Sequence, residues 1–165
     1  MDSIRLKGVI MEDFVNYKVP SMFLITSYCN WKCCKEANID ITVCQNQSLA
    51  KQDIKEFNYE TLLKAYQKNN ISQAIVVGGL EPFEQSDELI GLVKYFRDNK
   101  CTDTFVIYTG YYPNEIQSQI DKLKPLGNII IKFGRYIPNH NPHYDNVLGI
   151  YLASDNQYGE MISDG

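Results

Sequence analysis

Four short apolar runs constrain this chain most: Ser21 to Ser27, Ala74 to Val77, Thr104 to Tyr108 and Ile129 to Ile131. Each is apolar at consecutive positions, as in strands that are buried on both faces of a parallel sheet with helices on either side. Between the later runs lie segments with helical spacing. Tyr59, Leu62, Leu63 and Tyr66 recur at three and four, as do Leu89, Leu92, Val93 and Phe96, then Ile116, Ile120 and Leu123. Asn58 is placed to cap the first of these helices, Asp87 to start the second and Pro113 to open the third, which stops near Pro125 and Gly127. Val147 to Leu152 supplies a short fifth strand. Strands alternating with helices predict right-handed crossovers and an α/β fold with a mostly parallel sheet of about five or six strands.

The 165 residues suit one domain, 1–165. Within it, residues 1–18 alternate only briefly and read as an amino-terminal ribbon leading into the first core strand. Residues 30–58 are mostly polar and read as a long loop, which in a compact domain usually has a function.

That loop carries most of the cysteines. Cys29, Cys33, Cys34 and Cys44 fall within sixteen residues, out of five in the chain. An odd count and an adjacent pair make a poor disulfide framework, and the amino terminus lacks the apolar stretch of a secretory signal. Metal ligation or chemistry is the better account. Thiolates suit zinc and iron–sulfur clusters alike. Zinc calls for a fourth ligand, such as Cys34, whereas three thiolates on a four-iron cluster leave one iron open. Cys101 stands apart beside a strand and reads as an ordinary half-buried thiol. His140 and His143 sit in a polar turn around Asn139-His140-Asn141-Pro142 and read as surface histidines. The net charge of -4 gives no electrostatic reason to expect nucleic acid or an anionic membrane as partner, and no run is long enough to span a bilayer. The expectation is a soluble, cytoplasmic protein.

In a parallel sheet, function gathers beyond the carboxyl ends of the strands. The chemically suggestive segments all fall there: Cys29 after the first strand, Gly78-Gly79-Leu80-Glu81 after the second, Thr109-Gly110 after the third, Lys132 to Arg135 after the fourth, and Ser154 to Gln157 after the fifth. Gly78 and Gly79 let a ligand approach the backbone, or simply make a strand-to-helix turn. Glu81 is suited to hold a cationic amino group, or is a solvated loop residue. Arg135 either clamps a carboxylate or faces water, and Lys132 is similarly ambiguous. Ser154 and Asn156 suit a ribose or an adenine edge, or an ordinary turn. Tyr28 and Trp31 either shield a cluster or merely pack.

Taken in order, these motifs are similar to a known pattern. Cys29-Asn30-Trp31-Lys32-Cys33, Cys44-Gln45-Asn46, Gly78-Gly79-Leu80-Glu81-Pro82, Tyr108-Thr109-Gly110-Tyr111, Phe133-Gly134-Arg135-Tyr136 and Ser154-Asp155-Asn156-Gln157 resemble the radical S-adenosylmethionine superfamily. Within it, the chain looks most like the small activating proteins of anaerobic ribonucleoside-triphosphate reductase. The family's cysteine motif departs here: the first gap is kept, but position 36 is Glu36, and Leu80 is inserted between Gly79 and Glu81. Cys44 is then the better third ligand, with Cys34 as alternative to Cys33.

The resemblance implies a compact partial (β/α) barrel and a [4Fe-4S] cluster on Cys29, Cys33 and Cys44. It implies S-adenosyl-L-methionine on the open iron, its amino group oriented by Glu81 or the carbonyls of Gly78 and Gly79, with Thr109, Arg135, Ser154 and Asn156 completing the cofactor site. Reductive cleavage then yields a 5'-deoxyadenosyl radical, which takes hydrogen from a glycine of a large glycyl radical enzyme such as anaerobic ribonucleotide reductase, given an external one-electron reductant. Two alternatives are a radical enzyme acting on a small molecule such as a purine-like ring, and a non-catalytic zinc or iron–sulfur interaction module.

Overall fold

The computed structural model describes residues 2–27 and 54–163. Its centre is four parallel strands: β2 (Ser21–Thr26), β4 (Ala74–Gly79), β5 (Thr104–Tyr108) and β6 (Ile129–Phe133). These are the four apolar runs. On one flank β1 (Ser3–Asp13) pairs antiparallel with β2, and β3 (Lys55–Asn58) antiparallel with β1. On the other flank β9 (Tyr158–Met161) pairs antiparallel with β6. The order β3-β1-β2-β4-β5-β6-β9 makes a mixed sheet of seven strands among the described residues, where five or six mostly parallel ones were expected. Of the three flanking strands β1 falls in the expected amino-terminal ribbon, whereas β3 and β9 escape sequence patterning because their composition is weak. Lys55-Glu56-Phe57-Asn58 has one apolar residue, and Tyr158-Gly159-Glu160-Met161 carries a glycine and an acid. Such strands exist by pairing with a neighbour rather than by propensity.

The amino-terminal ribbon therefore belongs to the sheet itself, with Ile4 and Leu6 fully buried in the core. The end of the expected loop, 55–58, is β3, and residues 30–53 of that loop lie outside the described residues.

The helices follow their patterns. Helix α1 (Tyr59–Lys68) starts where the Asn58 side chain accepts a hydrogen bond from the Glu60 amide, and it buries Tyr59, Leu62, Leu63 and Tyr66. A 3-10 turn, Pro82–Gln85, leads into α2 (Ser86–Asp98), which buries Leu89, Leu92, Val93 and Phe96. A second 3-10 turn, Pro113–Glu115, precedes α3 (Gln117–Leu123). Among the described residues no helix is long and apolar enough to cross a membrane.

The three helices of the described residues pack on one face of the sheet, against Met22, Leu24, Ile75, Val77, Phe105, Ile107, Ile129 and Ile131. Among the described residues no helix covers the opposite face, where helices on both faces were expected. On the opposite face Ala74, Val76, Val106 and Ile130 pack under Tyr17, Leu148 and Leu152. Their cover is the β1–β2 connection and a two-stranded ribbon, β7 (His143–Asp145) with β8 (Ile150–Leu152). The expected fifth sheet strand, Val147 to Leu152, thus belongs to this separate ribbon. Its apolar residues are spent on covering the sheet, and the place beside β6 goes to β9.

The amino-terminal edge of the sheet is tied by one side chain. Arg97 donates from Nε to the Leu126 carbonyl, from Nη1 to those of Cys101 and Asp103, and from Nη2 to those of Gly127 and Asn128. Its guanidinium also lies 5.3 Å from the Phe105 ring centroid. A charged donor on several carbonyls is worth more than a neutral bond, and a lysine cannot reproduce the fork. Replacing Arg97 with Ala should therefore cost about 2–4 kcal/mol and Arg97→Lys most of that, read as a lowered urea midpoint at unchanged slope.

Candidate functional site

The parallel register sets the site. Thr26 of β2 lies opposite Gly79 of β4, Val77 opposite Ile107, and Tyr108 opposite Lys132, so four carboxyl ends reach one rim together. At that rim β2 passes through Ser27 toward Cys29, and β4, β5 and β6 open into the turns holding Glu81, Thr109-Gly110 and Gly134-Arg135. Because β9 runs antiparallel, the Ser154–Gln157 turn arrives at the same rim at its start, with Tyr158 opposite Phe133. Four of the five expected segments converge at this rim, Ser154–Gln157 reaching it by an entering strand rather than a leaving one. Cys29, Cys33, Cys34 and Cys44, with Tyr28 and Trp31, lie outside the described residues.

Glu81 is the centre of the described part. Gly79 turns the chain with φ of 88°, where a Cβ would come within 2.7 Å of Ile25 Cγ2. The carboxylate is thereby folded back over the rim, only 7% exposed. It accepts from the Phe83 amide at 3.0 Å, from the Gly110 amide at 2.8 Å, and from the Thr109 hydroxyl at 2.9 and 3.0 Å to its two oxygens. Phe83 N lies in the 3-10 turn that Glu81 itself caps. Glu81 is therefore no solvated loop residue: it ties the end of β4 to the end of β5. Burial pushes its pKa above the ordinary 4.5, while the amides of Phe83 and Gly110, the Thr109 hydroxyl and the Lys132 charge pull it back down. Among the described residues three protons serve a carboxylate with about four lone-pair sites, which leaves acceptor capacity there for one further donor.

The network continues along the rim. Arg135, 6% exposed, donates to the Gly110 carbonyl at 3.1 Å and to Glu115 at 2.6 Å, beside the Tyr112 ring. It is engaged by protein groups rather than facing water. Asn156 donates through Nδ2 to the Arg135 carbonyl at 2.7 Å and to the Tyr112 hydroxyl at 2.8 Å. A carbonyl only accepts, so this fixes the amide orientation and leaves Oδ1 as the acceptor. That Oδ1 is buried with no hydrogen-bond partner among the described residues. Ser154 Oγ accepts from the Ile137 amide, and the Gln157 side chain spans the Ser154 amide and the Gly134 carbonyl. The Gly78 carbonyl accepts from Thr26 Oγ1 at 2.7 Å. Lys132 Nζ donates to the Gly134 carbonyl at 3.0 Å and stands over the Tyr108 ring.

Glu81, Thr109, Arg135, Asn156 and Ser154 are thus brought to one rim, with Gly78 and Gly79 beside them. The sequence reading missed Ser27, Gln85, Tyr112, Glu115 and Asp145. Ser27 Oγ donates to Gln85 Oε1 at 2.6 Å. Asp145 accepts from the amides of Leu148 and Gly159 and so fixes the ribbon to β9. Of these only Tyr112 lies beside a motif the sequence singled out, Tyr108-Thr109-Gly110-Tyr111. His140 and His143 form no metal site among the described residues: His140 meets exposed Asp155 at 2.8 Å, and His143 reaches the Gln157 carbonyl. Cys101 is half buried with its thiol pKa raised by burial, as an ordinary core-edge cysteine.

A raised carboxyl pKa means that folding favours the neutral acid. Stability from this group is full below the unfolded value and is lost as pH rises through the higher folded value. Comparing Glu81→Gln with the parent across pH 4 to 7 in thermal melts should show the parent losing stability relative to the variant as pH rises above about 4.5. A constant difference would mean that Glu81 ionises as an ordinary carboxyl.

Comparison with known proteins adds one finding to this geometry. No curated protein matches the chain in sequence. The family description "4Fe-4S single cluster domain" matches residues 19–150, from the residue before Pro20 through the start of β8. This span contains the whole cysteine segment and three of the four polar turns of the rim. A match over that much of its length places the chain in the 4Fe-4S single cluster domain family.

Proposed function

We propose that this iron–sulfur protein is a radical S-adenosylmethionine enzyme that generates a glycyl radical on a partner. The observation that carries the reading is the shared rim: the strand leading to the cysteines ends in register with the glycine turn that holds Glu81. Cys29, Cys33 and Cys44, with Cys34 as alternative to Cys33, are the thiolates to hold a [4Fe-4S] cluster. The described residues fit the second cofactor on chemical grounds. Glu81 retains acceptor capacity for an ammonium, and Asn156 presents a buried, unfilled acceptor for an amino or hydroxyl donor. Gly78 and Gly79 keep the backbone bare beside them. When bound and reduced, the cofactor pair would supply a 5'-deoxyadenosyl radical, with methionine as co-product, for hydrogen abstraction from a backbone glycine of a large partner enzyme.

The protein's own part is placement. Thr109 and the Gly110 amide hold the Glu81 carboxylate where a cationic amino group meets it. Arg135 reaches that same turn through the Gly110 carbonyl, so its contribution here is to stiffen the acceptor rather than to clamp a free carboxylate. The sheet is open between β3 and β9 among the described residues, as a partial barrel is. An unclosed mouth suits a protein loop as substrate, where a small molecule would need more cover. The electron arrives from an external one-electron reductant.

Anaerobic reconstitution with iron and sulfide should give a brown protein carrying about four irons per chain. With dithionite and S-adenosylmethionine it should release 5'-deoxyadenosine, and Cys29→Ala or Cys44→Ala should abolish that release. Electron paramagnetic resonance after adding an anaerobic ribonucleotide reductase should show a glycyl signal. Release of 5'-deoxyadenosine without that signal for any reductase tried would move the reading to a small-molecule substrate. Tight zinc with no cofactor cleavage would end it.

A further inference from the structure

The cysteine segment leaves the sheet through two anchored residues. Thr26 Oγ1 donates to the Gly78 carbonyl at 2.7 Å, and Ser27 Oγ donates to Gln85 Oε1 at 2.6 Å, both bonds buried. Ser27 is 5% exposed and Gln85 4%. The amide orientation of Gln85 is unambiguous, because its Nε2 faces the Arg5 carbonyl at 2.9 Å, a group that only accepts. Oε1 must then be the acceptor toward Ser27, and the serine hydroxyl the donor. Gln85 is held in turn from outside: Nε2 also reaches Glu88 Oε2 at 3.4 Å, and Glu88 pairs with the Arg5 side chain and accepts from the Arg5 amide.

Gln85 closes the 3-10 turn whose cap is Glu81. One four-residue turn, Pro82–Gln85, therefore touches both halves of the rim. Its start carries the carboxylate assigned to the cofactor amino group, and its end grips the residue two positions before Cys29. A short turn with a proline at its first position has little freedom to stretch.

We infer that Ser27 and Gln85 are positioning residues that hold the end of β2, from which the cysteine-bearing sequence continues, at a set distance from the Glu81 turn. The inference rests on the iron–sulfur reading above and concerns only how the cluster is placed. Removing the Ser27 hydroxyl leaves Gln85 Oε1 buried without its donor and leaves the Thr26–Gly78 bond as the side-chain tie at the strand end, so that Ser27 is no longer fixed to the turn. Groups that orient metal ligands from behind typically change metal affinity by about ten-fold or more when removed.

The test uses the full chain, anaerobically reconstituted with iron and sulfide. Ser27→Ala and Gln85→Met should each lose iron to a chelator about ten-fold faster than the parent. They should also shift the cluster's reduction potential and diminish the change that S-adenosylmethionine induces in the spectrum of the reduced cluster. Ser27→Thr, which keeps a hydroxyl, should restore all three. Arg97→Lys, at the opposite edge of the sheet, serves as a variant destabilised without contact to the rim and should leave potential and spectrum unchanged. Parent-like iron loss and spectra in Ser27→Ala and Gln85→Met would overturn the inference, as would equal changes in Arg97→Lys. A parent protein that takes up no cluster would instead remove the iron–sulfur reading beneath it.

Discussion

Everything at the rim depends on the in-register parallel pairing of β2, β4, β5 and β6. Adjacent strands lie about 4.8 Å apart, so four carboxyl ends span roughly 15 Å, enough for an extended nucleoside-sized ligand beside a small cluster. Thr26 opposite Gly79 and Tyr108 opposite Lys132 fix which turns meet there. A slip of one residue in any pair would send Gly78, Tyr108 or Lys132 to the helix side and Val77, Ile107 or Ile131 to the other. The register is held because one face must pack on three helices while the other packs under Tyr17, Leu148 and Leu152.

The rim so formed is built largely of buried polar groups, which is costly unless each is matched. Glu81, Lys132, Arg135, Ser154 and Gln157 are each under a tenth exposed, and each meets a partner across a strand boundary or within its own turn. Such a lattice is stiff, and stiffness is what a site needs when it must present acceptors without rearranging. The Asn156 oxygen has no hydrogen-bond partner among the described residues, and an unfilled buried acceptor marks where a further donor would be gained.

The arrangement is asymmetric. Among the described residues the helices lie on one face, and the ribbon on the other is latched by short contacts. At Gly159 a Cβ would come within 2.8 Å of Leu148 and 2.9 Å of Asp145, so the bare backbone is what lets the ribbon settle there. Asp145 accepts from the Gly159 amide on the edge strand, which also withholds that donor from a stray neighbouring strand. The ribbon thus holds β9, and through it the Ser154–Gln157 turn, against β6.

From the sequence by itself came the four central strands, the buried stripes of all three helices and the polar segments that gather at one edge. Consecutive apolar runs and three-and-four spacing are local signals, and the chain carries them without reference to its neighbours. Glu81 and Arg135 were visible as residues with a choice of roles. Tertiary structure alone made those choices, closing Glu81 on Thr109 and Gly110 and spending Arg135 on Gly110 and Glu115. It also decided that β1, β3 and β9 join the sheet and that 150–152 does not, because weakly patterned strands take their place from whichever edge is open to pair. The Ser27–Gln85 bond spans 58 residues, and no local pattern encodes a contact between two uncharged side chains that far apart.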